Sequence, residues 1–79
     1  MKSMKLRLQS IDDVKRFVSI MAQFDGYFDL SSGRYVVDAK SVMGIFSMDL
    51  TRVLELHILE TNEKEKEIRE ALKPFLTEE

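Results

Sequence analysis

Apolar and basic residues alternate strictly through Met4-Lys5-Leu6-Arg7-Leu8, and a period of two puts Met4, Leu6 and Leu8 on one face of a half-buried strand. The period changes at Ser10-Ile11-Asp12-Asp13. There a serine followed three residues later by an acid matches a capping box, which satisfies the first free amides of a helix. Ile11, Val14, Val18, Met21 and Ala22 then recur at helical spacing, with Phe17 beside them. This stripe predicts a helix over roughly 11–25, stopped by Gly26 in a left-handed conformation. Residues 27–31 and 34–38 flank Ser32-Gly33 and predict a hairpin whose two-residue turn sets Leu30 opposite Tyr35 and Phe28 opposite Val37. Residues 41–48, interrupted by Gly44, read as a short helix. From 53 to 59 the alternation returns, with Leu54, Leu56 and Ile58 set against Glu55 and His57, and gives a fourth strand. Asn62 with Glu65 matches a second capping box, and Ile68, Ala71, Leu72, Phe75 and Leu76 fall at i, i+3, i+4, i+7 and i+8. That predicts a last helix, bent or ended near Pro74.

The order β-α-β-β-α-β-α predicts an α+β fold, an open-faced β-sandwich with a four-stranded antiparallel sheet and three helices on one face. Right-handed crossovers leave a gap between the first two strands for the fourth, which gives strand order 1-4-2-3. A single domain over residues 1–79 accommodates all of it, with no repeat and no linker.

Composition narrows the function. The chain is 44% hydrophobic and 33% charged with one Pro, which is a globular balance. It has no run of about 18 apolar residues and no signal-peptide core, so it is expected to be cytoplasmic with no membrane partner. A chain this short buries only about 60% of its unfolded surface. With no cysteine there is no disulfide or thiolate-metal staple, so stability must come from packing, or partly from a partner. Lys plus Arg number 12 against 14 Asp plus Glu, and the net charge of -2 gives no electrostatic footprint for nucleic acid.

Enzyme chemistry also lacks its parts. There is no nucleophilic Cys, no second His, no H-E-x-x-H and no Gly-rich phosphate loop. Asp12 and Asp13 are adjacent and on a helix point about 100° apart, so they make no catalytic pair. Asp29, Asp38 and Asp49 match no metal-ligand loop. The chain is expected to be neither an enzyme nor the holder of a cofactor or metal. His57, the only histidine, sits in mid-strand on the side opposite the apolar residues and is expected to face away from the helices.

The segment Lys40-Ser41-Val42-Met43-Gly44-Ile45-Phe46-Ser47-Met48 resembles the K-S-[IV]-M-G-[VI]-[ML]-S-L segment of the HPr phosphocarrier family of the bacterial phosphotransferase system. The element order extends the likeness over nearly the whole chain, and Ala22-Gln23-Phe24 resembles the end of that family's first helix. The resemblance implies an HPr-like fold, Ser41 as the residue phosphorylated by the HPr kinase, and Val42, Met43 and Phe46 as a docking patch for partner proteins. Lys40 adds a positive charge beside them. The departure lies at the start of the first helix. A phosphocarrier places a His and an Arg there, where free amides and the helix dipole hold the phosphate. Here Gln9 alone joins Leu8 to Ser10, leaving no room for the family's G-I-H-A-R-P motif, and Asp12 and Asp13 would repel a phosphoryl group. Family variants that replace the His yet keep the Ser serve in carbon-source regulation. The expectation is therefore a regulatory or protein-binding domain without histidine phosphocarrier activity, its partner a transcriptional regulator or the HPr kinase. A structural interaction module that retains only the fold, with Ser41 a plain helix cap and the helix residues ordinary core, is the alternative.

Overall fold

The computed structural model describes residues 2–78. Its strands are β1 (Lys2–Leu6), β2 (Tyr27–Ser32), β3 (Tyr35–Asp38) and β4 (Leu54–Glu60). The helices are α1 (Ile11–Met21), α2 (Val42–Phe46) and α3 (Glu65–Ala71), and a 3-10 turn, Lys73–Phe75, follows α3. The sheet is antiparallel in the order β1-β4-β2-β3, as the crossover argument requires. Its inward face carries Met4 and Leu6 of β1, Leu54, Leu56 and Ile58 of β4, and Phe28 and Leu30 of β2, all buried. Val14, Phe17 and Met21 of α1, Ile45 of α2, and Ile68 and Leu72 at α3 close one core against them. Phe75 completes it, edge-on to Phe17 with ring centroids 6.4 Å apart.

The local signals held where the chain itself supplies the partner. Ser10 caps α1, its Oγ accepting from the Asp13 amide at 3.0 Å. They moved where tertiary contacts decide. β1 begins earlier than residues 4–8, and Leu8 is buried from the connection beyond the strand. The apolar stripe of α1 runs through Val14, Phe17 and Met21, so Ile11, a turn ahead of the covered face, is 65% exposed and Ala22 is exposed too. α1 stops at Met21, closed by i→i−3 bonds from Gln23 to Ile20 and from Phe24 to Met21. Gly26 is therefore not its stop. It holds a φ of 131°, and a Cβ there would collide with the Glu60 carbonyl, so this glycine lets the chain pass closely over β4 as β2 begins.

The hairpin closes around Gly33-Arg34, one residue later than predicted, so Leu30 faces Val37 and Ser32 faces Tyr35. Gly33, with φ 61°, is the only residue of that turn with positive φ, and glycine at the first turn position is what the II′ hairpin turn favours. The second capping box does not form. α3 starts after Lys64 with no side-chain cap, while Glu65 reaches Lys2 of β1 at 3.0 Å and Arg69 at 3.2 Å. Pro74 falls in the 3-10 turn that ends the last helical stretch.

Candidate functional site

The connection between β3 and α2 is built by short-range bonds that fix Ser41. The Asp38 carboxylate accepts from the Lys40 amide at 2.9 Å, and the Asp38 carbonyl accepts from the Ser41 amide at 3.0 Å. Ala39 is buried, and its amide donates to Phe28 of β2 at 2.9 Å. This turn delivers Ser41 in an extended conformation, φ −102° and ψ 106°, as an N-cap needs. Its Oγ accepts from the Gly44 amide at 3.0 Å, and its carbonyl accepts from the Ile45 amide at 3.0 Å. Gly44 has little room, since a Cβ there would lie 3.1 Å from Ser41 Oγ and 3.2 Å from Val37 Cβ. A glycine at this position lets α2 sit close against both the serine and β3.

α2 divides its apolar residues between core and surface. Ile45 is fully buried and Val42 half-buried, whereas Met43 is 79% and Phe46 39% exposed. Ser41 is half-buried beside them. Adjacent Met and Phe on one exposed helix surface form an adaptable apolar patch. The Lys40 ammonium donates to the Phe24 carbonyl at 2.7 Å and lies 5.4 Å from the centroid of the Phe28 ring. It thus ties the end of α1 to the start of the site. At the far end of α2, Ser47 Oγ donates to the Gly44 carbonyl at 2.6 Å, and Tyr35 of β3 reaches the same Ser47 Oγ at 3.0 Å. Neither the Lys40 tie nor the Tyr35 clamp was legible in the sequence, because each joins residues that no local period relates.

At the start of α1 one first-turn amide and the amide just ahead of the cap are met by the chain's own side chains. Ser10 takes the Asp13 amide, and the Asp13 carboxylate takes the Gln9 amide at 2.9 Å. Asp12 is exposed there. His57 lies on the open face of the sheet, as its alternation predicts. Its Nε2 is 3.0 Å from Ser31 Oγ, and Ser3 and Asp29 stand opposite it on the neighbouring strands. The three aspartates weighed as ligands are not brought together. Asp29 and Asp38 face each other across β2 and β3, but Asp49 holds the Thr51 hydroxyl at 2.6 Å and the Thr51 amide at 3.0 Å. Those two bonds keep the Asp49 carboxyl below its ordinary pKa. No group of three metal-ligating side chains occurs among the described residues, and none of their helices is long and apolar enough to cross a membrane.

An open-faced sheet ordered 1-4-2-3, with a serine-capped short helix carrying an exposed Met and Phe, defines an HPr-like domain. The family model for the PTS HPr component phosphorylation site matches residues 13–78, and the chain belongs to that family. A solved structure, the crystal structure of HPr-C-His from Thermoanaerobacter tengcongensis, superposes with a TM-score of 0.76 at 23% identity, covering 94% of this chain and 89% of that one. At that identity the likeness speaks for the fold. No curated protein sequence matches the chain.

Proposed function

We propose that this HPr-family chain is a regulatory, protein-binding domain of the cytoplasm that carries no phosphohistidine and catalyses no reaction. In this reading Ser41 is its phosphoacceptor, and Val42, Met43 and Phe46, flanked by Lys40, are its docking surface. One observation carries the reading. The half-buried Ser41 hydroxyl caps α2 immediately beside the exposed Met43 and Phe46, so a charge added at the serine lands on the edge of the apolar patch. A phosphoserine there adds about −1.5 to −2 of charge, and its oxygens can accept from amides of the first turn, Gly44 among them, as the hydroxyl already does. Binding then switches on charge while the fold stays constant. A partner offering Arg gains, and an acidic partner is repelled.

The start of α1 supports the other half of the proposal. It offers no imidazole, the Asp13 amide is taken by Ser10 and the Gln9 amide by Asp13, and the Asp12 and Asp13 carboxylates oppose a phosphoryl group. A second reading, an interaction module in which Ser41 only caps, is favoured by the bond from the Gly44 amide, which is complete without any phosphate.

Two incubations separate the readings. With Enzyme I and phosphoenolpyruvate no phosphate should be incorporated, and an acid-labile, base-stable label on His57 would overturn that half. With the HPr kinase and ATP one phosphate should appear and be lost in Ser41→Ala. An unlabelled wild type would leave Ser41 as a cap alone. Candidate regulators retained by the wild type should respond to both Ser41→Asp and Phe46→Ala, and a partner indifferent to both binds elsewhere.

A further inference from the structure

The sheet has two edges, and the fold treats them differently. Along β1 the C-terminal segment covers the free groups. The Arg7 amide donates to the Phe75 carbonyl at 2.9 Å, the Thr77 amide donates to the Lys5 carbonyl at 3.0 Å, and Leu6 faces Leu76 across an antiparallel bridge. β3 has no such cover among the described residues. The two-residue turn makes Ser32 and Tyr35 the bonded pair that closes the hairpin, so Tyr35 and Val37 turn their backbone groups toward β2. The bond from the Ala39 amide to the Phe28 carbonyl continues that alternation. Val36 and Asp38 therefore direct theirs outward, and of these only the Asp38 carbonyl is engaged, by the Ser41 amide. Edge strands are ordinarily blunted by shortness, charged side chains, Pro or a bulge. β3 is short and ends on Asp38, but it has no Lys, Pro or bulge and leaves Val36 55% exposed.

The segment Arg34-Tyr35-Val36-Val37-Asp38 is complementary to itself when reversed. We propose that the β3 edge pairs with the β3 edge of a second copy of this chain, antiparallel about a two-fold axis at Val36. In that register the outward Val36 N–H and C=O bond reciprocally to those of the partner's Val36. At each end an Asp38 N–H meets the Arg34 carbonyl of the other chain. The side chains match as well. Val36 lies against its own copy, Tyr35 against Val37, and each Arg34 against an Asp38 carboxylate.

The charge distribution selects this register. The turn end of β3 is basic, with Arg34 on the turn and the Arg52 guanidinium beside Gly33. At the other end Asp38 faces Asp29, and these two carboxylates outnumber the single nearby ammonium of Lys40, which is held by the Phe24 carbonyl and the Phe28 ring. Antiparallel pairing about Val36 lays basic end on acidic end. Centring the pair on Asp38 or on Arg34 would instead oppose like charges. The product is a continuous eight-stranded sheet. Because five residues a side bury far less than the about 800 Å² per partner of a standard interface, the dimer forms weakly and at high concentration. It uses neither the Ser41 hydroxyl nor the exposed α2 residues and stands apart from the functional reading above.

Analytical ultracentrifugation and amide NMR across a dilution series, from roughly 1 mM down to about 10 μM, test the pairing. Wild type should shift from dimer toward monomer, with the Val36 and Asp38 amides moving on dilution while those of Tyr35 and Val37 stay fixed. Arg34→Asp, an exposed turn change, should be monomeric throughout. Asp38→Arg should be monomeric alone, and an equimolar mixture of the two variants should restore the dimer, since each then pairs Asp with Arg at both ends. A wild type that is monomeric at the highest concentration overturns the proposal. So does a dimer that Arg34→Asp leaves unchanged, or one whose dilution shifts fall on α2. The amide shifts of the wild type decide the question even where Asp38→Arg does not fold.

Discussion

At the scale of single residues, Ser41 has two jobs that one geometry serves. The hydroxyl accepts the Gly44 amide that would otherwise be an orphan of the first turn, so it contributes to stability before any modification. Ser41→Ala should cost about 0.5–2 kcal/mol in urea unfolding, the usual range for a lost N-cap. Ser41→Asp should recover most of that, because a carboxylate oxygen can accept the same amide beside the positive end of the helix dipole. Equal losses for both variants would show that the site depends on the size of the serine and not on its acceptor. The contrast matters for the functional proposal. A substitution that mimics charge while keeping the cap separates a binding effect from a folding effect, and Ser41→Ala does not.

At the scale of elements, what was legible in the sequence divides by the range of the interaction. β1, β4, α1 and α3 followed from period alone, because burial of Leu54, Leu56 and Ile58, or of Ile68 and Leu72, needs only one covered face. The segment around Ser41 was legible through its resemblance to the family segment and through serine's preference for an N-cap, a bond made within a few residues. Ends and registers were not. The hairpin shifted by a residue because glycine at the first turn position outweighed the symmetric placement of Ser32-Gly33. The cap assigned to Asn62 with Glu65 lost to long-range partners. Thr61 and Glu63 bind the backbone of Asp25, and Glu65 bridges Lys2 of β1 and Arg69 of its own helix. That last triad makes a prediction with a sign. The bonds from Lys2 and then Arg69 lower the Glu65 pKa from its ordinary 4.5. A depressed carboxylate stabilises the fold at pH above the unfolded value, and the contribution fades as pH falls through the folded value, which lies below 4.5. Thermal melts of wild type and Glu65→Gln should therefore differ modestly at neutral pH, as befits a solvent-exposed pair, and converge in acid. A gap that persists unchanged in acid would mean that Glu65 stabilises α3 by something other than its charge.

At the scale of the whole molecule, a chain of 79 residues has a stability of only about 4–12 kcal/mol to lose. The core is one layer thick, so each side chain counts by how fully it is enclosed. Leu72→Ala should cost about 2–5 kcal/mol, and Val18→Ala distinctly less, because Leu72 is fully buried and Val18 only packs at the margin of the core. Like losses at both sites in urea unfolding would place Val18 inside the core. The end of the chain carries a larger load than its length suggests. Phe75 fills the core against Phe17, and residues 75–77 supply the hydrogen bonds that cover the β1 edge. Ending the chain after Leu72 removes the ring and the cover together. The ring alone is worth about 3–5 kcal/mol by analogy with large-to-small core changes, which approaches the whole margin. The same cut turns β1 from a covered edge into an open one, so the sheet would present two unpaired edges. The truncated chain should unfold at much lower urea concentration and scatter light on standing. Phe75→Ala in the full chain should share the loss of stability yet scatter little, because the bonds of residues 75–77 come from backbone that the substitution leaves in place. A truncated chain as soluble as Phe75→Ala would show that the C-terminal segment matters for its aromatic ring and not for covering the β1 edge.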